Sequence, residues 1–286
     1  TRFGPAGNSE SFQAMGYRKT IQVPEYLARM GLDAYEYQCG RGVRISIEAA
    51  QELGKKAQEH QIALSLHSPY YISLSSLEEE KRTASIGYIL QSAQAASAMG
   101  AQRVVVHSGS CAKISRQQAL ELAKDTLSRA YAALDEQGLG HIHLCPETMG
   151  KINQLGTLEE VLELCRVDDR LIPCIDFGHL NARTFGALNH PQGVRHVFDT
   201  MESCLGIDRM RAFHAHFSKI EYTLKGGEKC HLTFADTVFG PQFEPVAEMI
   251  VRKGCTPTII CESAGTQAED AATMKQMLAA ANSQDE

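Results

Sequence analysis

The sequence lacks several features that mark whole classes of protein. Its 286 residues contain no run of about 18 apolar residues, the minimum for a membrane-spanning helix. The N-terminal segment TRFGPAGNSESFQ has no apolar signal-peptide core, and the nine cysteines form no CxxC pair. No Gly/Ser linker or low-complexity tract interrupts the chain. We therefore expect one domain over residues 1–286, in a reducing, cytoplasmic compartment.

Basic residues are also fewer than acidic residues. The chain carries 34 acidic and 28 basic residues, for a net charge of −6. Taken alone, this balance argues weakly against a nucleic-acid-binding protein, because such proteins usually carry a basic patch. Bound divalent cations would add local positive charge, however, and reverse the sign of one face of the molecule. The net charge of the whole chain therefore decides little.

What the chain does contain is a regular alternation of apolar, β-branched runs with longer segments of helical period. The predicted strands lie near 2–5, 33–38, 61–66, 102–107, 141–147, 171–176, 211–217 and 257–262. The predicted helices lie near 20–30, 46–59, 79–99, 115–137, 157–166, 191–204, 242–253 and 267–281. Eight strands, each followed by a helix, predict a single-domain (β/α)8 TIM barrel.

A doubly wound parallel sheet is the competing architecture. It would usually have a glycine-rich phosphate-binding turn after its first strand. The segment FGPAGN at residues 3–8 does not fit the GxGxxG pattern. Polar residues after six different strands also suit a closed barrel better, because the strand ends of a barrel converge on one face.

Three acidic residues stand at the ends of apolar runs. They are Glu147 in LCPETMGK, Asp176 in IPCIDFGHL and Glu262 in TIICES. An unpaired carboxylate is costly to bury, and the strands that carry these acids contain no Arg or Lys. Divalent metal ions would supply the missing positive charge.

Histidines occupy equivalent positions. They are His67 in LSLHSPY, His107 in VVVHSGS, His179 after Asp176, and His231 in EKCHL. A fifth lies in FHAHFSK, where His214 and His216 share one strand face and either one is a candidate ligand. Imidazole ligands favour zinc or manganese over magnesium. The remaining histidines are interpreted as ordinary surface or core residues, with His143 left open.

From about residue 30 onward, these motifs resemble the endonuclease IV proteins (apurinic/apyrimidinic endonuclease family 2), within the xylose-isomerase-like barrels. ETMGKINQLGT is similar to the strand-five segment of that family, and CIDFGHLNAR to its strand-six segment. LHSPYYISL and VVHSGS resemble its two single-histidine motifs. HFSK and IICES resemble its strand-seven and strand-eight motifs, which assigns the strand-seven ligand to His216.

The resemblance implies two or three zinc ions, with manganese an alternative. The first ion would be bound by His67, His107 and Glu147. The second would be bound by Glu147, Asp176, His216 and Glu262. The third would be bound by His179 and His231 together with an Asp two residues before the latter, but this sequence has Lys229 there. Glu228 or the thiolate of Cys230 would have to replace that Asp.

The activity that the resemblance implies is hydrolysis of DNA 5′ to abasic sites in base excision repair. Glu147 or Glu262 would accept the proton of the attacking water. Tyr70 and Arg41 would contact double-stranded DNA at the abasic site. Further basic residues lie on loops expected at the barrel mouth and are candidate phosphate contacts: Arg44, Lys151, Arg183, Lys219, Lys225 and Lys229. The protein would act as a monomer.

Two other functions remain open at this stage. A sugar isomerase or epimerase on a related barrel would need one metal ion, bound by Glu147, Asp176, His216 and Glu262, and no further histidine ligands. A non-catalytic relative that binds nucleic acid or metal is favoured by the Lys229 departure and the acidic net charge. Metal stoichiometry separates the first two, since about one equivalent favours the isomerase and two or three favour the nuclease.

Overall fold

A computed structural model describes residues 1–284; the last two residues of the expected domain lie outside that range. The chain forms a barrel of eight parallel strands surrounded by helices, which confirms the predicted fold. In chain order the strands are β1 (Arg2–Pro5), β2 (Ala34–Gln38), β3 (Ala63–His67), β4 (Arg103–Val106), β5 (His143–Pro146), β6 (Cys174–Asp176), β7 (His214–Phe217), β8 (Ile220–Thr223), β9 (Gly227–His231) and β10 (Thr258–Cys261). Strands β8 and β9 form an antiparallel hairpin outside the barrel.

The barrel consists of two four-stranded sheets. One has the strand order β2-β3-β4-β5, and the other has the order β1-β10-β7-β6. Single bridges close the two seams, between Ala6 and Glu36 on one side and between Glu147 and Cys174 on the other. Both seams therefore run through residues near the candidate ligands.

Helices surround the barrel strands, and eight of them lie at the predicted places. The α-helices are α1 (Glu10–Ala14), α2 (Val23–Arg29), α3 (Ile47–Glu59), α4 (Glu79–Ala98), α5 (Arg116–Glu136), α6 (Leu158–Leu164), α7 (Phe177–Arg183), α8 (Pro191–Leu205), α9 (Ile207–Arg211), α10 (Glu244–Lys253) and α11 (Gln267–Gln284). Three of them begin at hydroxyl N-caps, where Ser46, Ser115 and Thr157 accept hydrogen bonds from backbone N–H groups.

Four elements depart from the sequence prediction: α1, α7, α9 and the β8–β9 hairpin. Helix α7 starts directly after β6 with no intervening loop. The Asp176 carboxylate caps it by accepting a hydrogen bond from the His179 N–H at 2.7 Å. A strand-to-helix change within one motif leaves no periodic signal long enough to recognise.

A small apolar cluster lies apart from the main hydrophobic core and consists of Val105, Cys145 and Cys174. Each of these residues precedes a candidate ligand by two positions: His107, Glu147 and Asp176, respectively. Residues two apart on a strand share a face, so the cluster underlies the ligands inside the barrel. Among the described residues, no helix is long and apolar enough to cross a membrane.

Candidate metal centre

The ends of six barrel strands and the β8–β9 hairpin bring the predicted ligands together at one mouth of the barrel. Their donor atoms form three clusters, each with all members within 4.8 Å of one another. The first cluster is His67, His107 and Glu147; the second is Glu147, Asp176, His216 and Glu262; the third is His179, Glu228 and His231. Glu147 belongs to two of them and therefore joins them.

Glu147 is buried among imidazoles. Its Oε2 atom lies 3.3 Å from His67 Nε2 and 3.2 Å from His107 Nε2. Its Oε1 atom lies 3.0 Å from His216 Nδ1 and 3.4 Å from His179 Nδ1. Burial alone would raise the pKa of Glu147, but these imidazoles, led by His216, hold the pKa well below its ordinary value. The carboxylate is therefore ionised and available as a bridging ligand.

Backbone carbonyls fix the tautomer of two of the histidines. His67 Nδ1 lies 2.8 Å from the Ser68 carbonyl, and His179 Nδ1 lies 2.9 Å from the Thr148 carbonyl. A carbonyl oxygen can only accept, so each Nδ1 carries a proton, and in the neutral ring each Nε2 presents its lone pair. The Nε2 atoms face Glu147 and Glu228, respectively. This arrangement of a metal-binding imidazole and an outer hydrogen-bond acceptor is common in metal sites.

Asp176 provides the test of whether the second cluster suits a cation. Its Oδ2 atom is buried and lies 3.2 Å from His179 Nδ1, but it accepts no hydrogen bond from the residues that the structure describes. Burial raises the pKa of this carboxyl to about 6, His179 opposes the rise, and the negative charges of Glu262 and Glu147 reinforce it. A buried carboxylate oxygen without a partner, beside two other carboxylates and an imidazole, fits a divalent metal ion.

The third cluster contains Glu228 but neither of the two residues that follow it, Lys229 and Cys230. Glu228 Oε2 lies 3.5 Å from His179 Nε2, and Glu228 Oε1 lies 4.0 Å from His231 Nε2. Lys229 and Cys230 are exposed and contact Glu221 on the neighbouring strand, away from the cluster. Of the two replacements considered from the sequence, the geometry favours the carboxylate.

The two predicted DNA-contacting residues lie at the rim of the mouth. Tyr70 is 56% exposed, and its ring stacks on His107 with centroids 5.4 Å apart and planes 15° apart. Burial of its hydroxyl, together with the negative charges of Glu262 and Glu147, raises the pKa of Tyr70 to about 12. Arg41 is exposed on the turn after β2.

Two of the basic residues expected to be free for phosphate contacts are buried. Arg183 donates a hydrogen bond to the Met149 carbonyl at 2.6 Å and so supports the loop after β5. Lys219 donates to the carbonyls of Phe234 and Asp236. The prediction for these two residues was wrong, because unpaired backbone carbonyls of the mouth loops take up their donors.

Sequence reasoning also missed Glu36, a fully buried carboxylate in the middle of β2. It lies 2.9 Å from both His214 Nε2 and His216 Nε2. His214 points to Glu36 and does not belong to any of the three clusters. Burial lowers the pKa of His214 to about 4. The available signal was the acidic residue in the middle of the predicted strand DAYEYQ, on the face shared by Ala34 and Gln38.

A cavity of about 550 Å³ opens above the ligands. Besides ligands from all three clusters, its lining includes Gln38, Tyr70, Lys151, Gln154 and Gln267. A larger cavity of about 1000 Å³ lies at the opposite end of the barrel and is lined by none of the candidate ligands. The smaller cavity is the candidate substrate site, because polar groups of perturbed pKa converge on it.

Comparison with known proteins agrees with this architecture. An uncharacterised protein of Methanocaldococcus jannaschii is 32% identical over 243 residues, covering 85% of this chain and 86% of that protein. A probable endonuclease 4 of Mycoplasma pneumoniae is 25% identical over 181 residues, covering 62% of this chain and 60% of that protein. The chain thus aligns with less than two thirds of the length of this second relative.

Solved structures with two different activities share the fold. A D-tagatose 3-epimerase-like protein superposes with a TM-score of 0.70, 18% identity and full coverage of both chains. Endonuclease IV from Thermus thermophilus superposes with a TM-score of 0.66 and 18% identity, covering 99% of this chain and 100% of that one. At this identity the likeness concerns the fold alone. Residues 24–282 match the family described as xylose isomerase-like TIM barrel, and the chain belongs to that family.

Proposed function

We propose that this protein is a zinc-dependent endonuclease that cleaves DNA on the 5′ side of abasic sites. The observation that carries the proposal is the presence of three ligand clusters around one mouth. A sugar isomerase or epimerase with a single metal ion would need only the second cluster, and the imidazoles of the first and third clusters would then have no metal to bind. The sequence similarity to probable endonuclease 4 proteins supports the same choice.

The donor sets favour zinc. Imidazole nitrogens supply two of the three donors in the first cluster and two of the three in the third, and carboxylates dominate only the second. Bound zinc ions would supply Lewis acidity to activate water and to neutralise charge on the phosphate oxygens. Glu147 would hold two ions at once, since its two oxygens face different clusters.

Of the two acidic residues expected to move a proton, Glu262 is the better general base. Glu147 is 1% exposed and has imidazoles on both oxygens. The Glu262 side chain is 15% exposed, and its oxygens lie 3.6 Å from His216 Nδ1 and 4.0 Å from His231 Nδ1. Glu262 would accept a proton as the water oxygen bonds to phosphorus. The bond from phosphorus to the 3′ oxygen would then break, the leaving oxygen would take a proton from solvent to become a 3′-hydroxyl, and Glu262 would release its proton to solvent.

The rim would bind the DNA strand beside the lesion. The exposed ring of Tyr70 is positioned to occupy the space that a missing base leaves, and Arg41 on the adjacent turn can reach a phosphate. Lys151, which lines the cavity, would add a second positive charge near the reacting phosphate. An intact base would have to be unstacked first, so an abasic nucleotide enters at lower cost.

The experiment is a nicking assay with zinc-loaded protein. One duplex contains a single tetrahydrofuran abasic analogue, and a duplex of the same sequence without the lesion is the control. We expect a nick 5′ to the analogue with a 3′-hydroxyl end, and none in the control. Glu262→Gln and Glu147→Gln should each lower the rate by at least 100-fold. Glu52→Gln, on α3 at the opposite end of the barrel, should not. Absence of nicking at stoichiometric enzyme would contradict the proposal.

A ketohexose epimerase is the second candidate. The second cluster alone provides a Glu, Asp, His, Glu metal site with a carboxylate on either side, and the fold matches a D-tagatose 3-epimerase-like protein. Chromatography of ketohexoses incubated with metal-loaded protein tests for epimerisation. Elemental analysis separates the candidates, since one equivalent of metal favours the epimerase and two or three favour the nuclease.

A further inference from the structure

Glu36 places a carboxylate inside the barrel, against two imidazoles. Its side chain is fully buried, with Oε1 2.9 Å from His216 Nε2 and Oε2 2.9 Å from His214 Nε2. Ser65, the neighbour of Glu36 across the β2–β3 pair, donates a hydrogen bond to Oε2 at 2.9 Å. Both carboxylate oxygens are therefore occupied, which fixes the orientation of the group.

The contact between Glu36 and the two histidines joins residues that are distant in the sequence and links the two four-stranded sheets of the barrel. Glu36 and His214 are 178 residues apart, and they belong to different four-stranded sheets. Glu36 also lies at the seam where its backbone bridges to Ala6. A charged group at this place would be costly without a role, since a fully apolar barrel interior would close the same seam without desolvating a charge.

The ring of His216 has one nitrogen toward Glu36 and the other toward the second cluster. Its Nδ1 atom lies 3.0 Å from Glu147 Oε1 and 3.6 Å from Glu262 Oε1. Its Nε2 atom lies 2.9 Å from Glu36 Oε1 but makes no well-aligned hydrogen bond among the described residues. Both ring nitrogens therefore lie against carboxylates, which accept a proton from either one. A cation in the second cluster would bind the Nδ1 lone pair, and the ring proton would then lie on Nε2, toward Glu36.

We propose that Glu36 is a positioning residue that directs His216 Nδ1 onto the metal ion of the second cluster. The inference rests on the proposed metal centre and adds to it a residue outside the ligand set. Glu36 acts through His216 and touches no substrate. His214 holds the second carboxylate oxygen, so the Glu36 side chain cannot rotate away from His216.

The same nitrogens allow a competing interpretation. Cys174, His214 and His216 have donor atoms within 4.8 Å of one another and would suit a fourth, buried ion. The two Glu36 oxygens already lie 2.9 Å from the Nε2 atoms of both imidazoles, which favours pairing of the imidazoles with this carboxylate over a buried ion. Cys174→Ala distinguishes the two. Loss of one equivalent of bound metal from this variant would overturn the assignment of Glu36 as a purely positioning group, and unchanged stoichiometry supports it.

The test compares Glu36→Gln, Glu36→Asp and the control Asp33→Asn. Asp33 lies at the start of the same strand, where it accepts hydrogen bonds from the Phe3 N–H and Lys275, far from the ligands. Zinc affinity is measured by competition with a chromophoric chelator. The protonation of the His216 ring is measured from its ¹⁵N NMR shifts, with His216→Asn identifying the signal. Neither measurement requires DNA.

We expect Glu36→Gln to weaken one zinc equivalent by about 10- to 100-fold and to shift the His216 ring nitrogens. Asp33→Asn should match the wild-type protein. Glu36→Asp keeps the charge and should recover part of the affinity; it also provides the measurement if Glu36→Gln does not fold. Wild-type zinc affinity and an unchanged His216 spectrum in both Glu36 variants would overturn the inference. Zinc binding without nicking of abasic DNA would instead contradict only the proposed nuclease activity.

Discussion

Glu228 and His231 face the same cluster although they lie three positions apart on β9. The pairing of β8 with β9 shifts register at this point: Glu221 pairs with Cys230, and Tyr222 pairs with Glu228, which leaves Lys229 as an extra residue. Residues three apart on a regular strand face opposite sides, and the one-residue bulge restores them to one side. The bulge thus allows a Glu one residue earlier to take the place of the expected Asp.

Glu228→Gln should weaken the binding of one zinc equivalent by at least tenfold. The amide is a weaker ligand than the carboxylate that lies 3.5 Å from His179 Nε2. Lys229→Gln and Cys230→Ser are the matched controls on the same strand and should bind zinc like the wild-type protein. Deletion of Lys229 would remove the bulge and leave a two-residue spacing, so zinc binding should survive it. Equal effects of all three substitutions would contradict this account.

Removal of zinc should destabilise the fold. Without cations, the buried carboxylates of Glu147 and Asp176 and the partly buried carboxylate of Glu262 repel one another. Asp176 Oδ2 also accepts no hydrogen bond from any described residue. Zinc at 100 times its dissociation constant would stabilise the folded state by about 2.7 kcal/mol per site. This corresponds to a rise in Tm of roughly 5 °C. Thermal unfolding with EDTA and then with zinc measures the shift, and an unchanged Tm would argue against bound metal.

The decrease in the free energy of unfolding at acid pH should depend in part on Glu160. This carboxylate accepts hydrogen bonds from Arg116 at 2.6 and 2.7 Å and from the N–H groups of Gly156 and Thr157. Burial opposes the shift, but these contacts, led by Arg116, lower the pKa of Glu160 below its ordinary value. Its stabilising contribution is therefore complete above the ordinary pKa of Glu and is lost as the pH falls through the lowered folded-state pKa.

Glu160→Gln should accordingly lower the free energy of unfolding by about 2 kcal/mol at pH 7. The difference from the wild-type protein should shrink as the pH falls below about 4. Urea unfolding at a series of pH values measures both quantities. Glu163→Gln, a more exposed carboxylate on the same helix, is the control and should change stability little. A difference that grows toward acid pH would show that the sign is wrong.

Tyr70→Ala should weaken binding to abasic DNA selectively. The exposed ring is held in place by His107 at 5.4 Å and by His67 at 5.2 Å, so little entropy is lost when it contacts the strand. Loss of one aromatic stacking contact costs roughly 1–3 kcal/mol, so the Kd should rise about tenfold or more. Tyr70→Phe keeps the ring and should bind like the wild-type protein. The measurement is fluorescence anisotropy with lesion-containing and intact duplexes, made with zinc-loaded protein in the Glu262→Gln background, in which cleavage is slow. An equal loss of affinity for both duplexes would contradict a lesion-specific role.

Much of the fold was accessible from local patterns. Apolar runs and helical periods predicted all eight barrel strands and the main helices, because burial of a strand imposes its own spacing on the residues. The polar residues at the ends of those runs identified the candidate ligands, and the family resemblance implied how they group. Helix α7 and the β8–β9 hairpin were missed, because neither has an independent apolar pattern of sufficient length.

The amino-acid sequence by itself determined that buried carboxylates and imidazoles end strands of a closed barrel, since each such residue interrupts an apolar run that must be buried. Only the tertiary structure decided which further groups complete or support the clusters, and which residues turn away from them. Glu36 reaches His216 across the barrel, Glu228 enters the third cluster through a bulge, and Arg183 turns away to the Met149 carbonyl. These relationships depend on strand register and on backbone groups distant in the chain, which no local sequence pattern encodes.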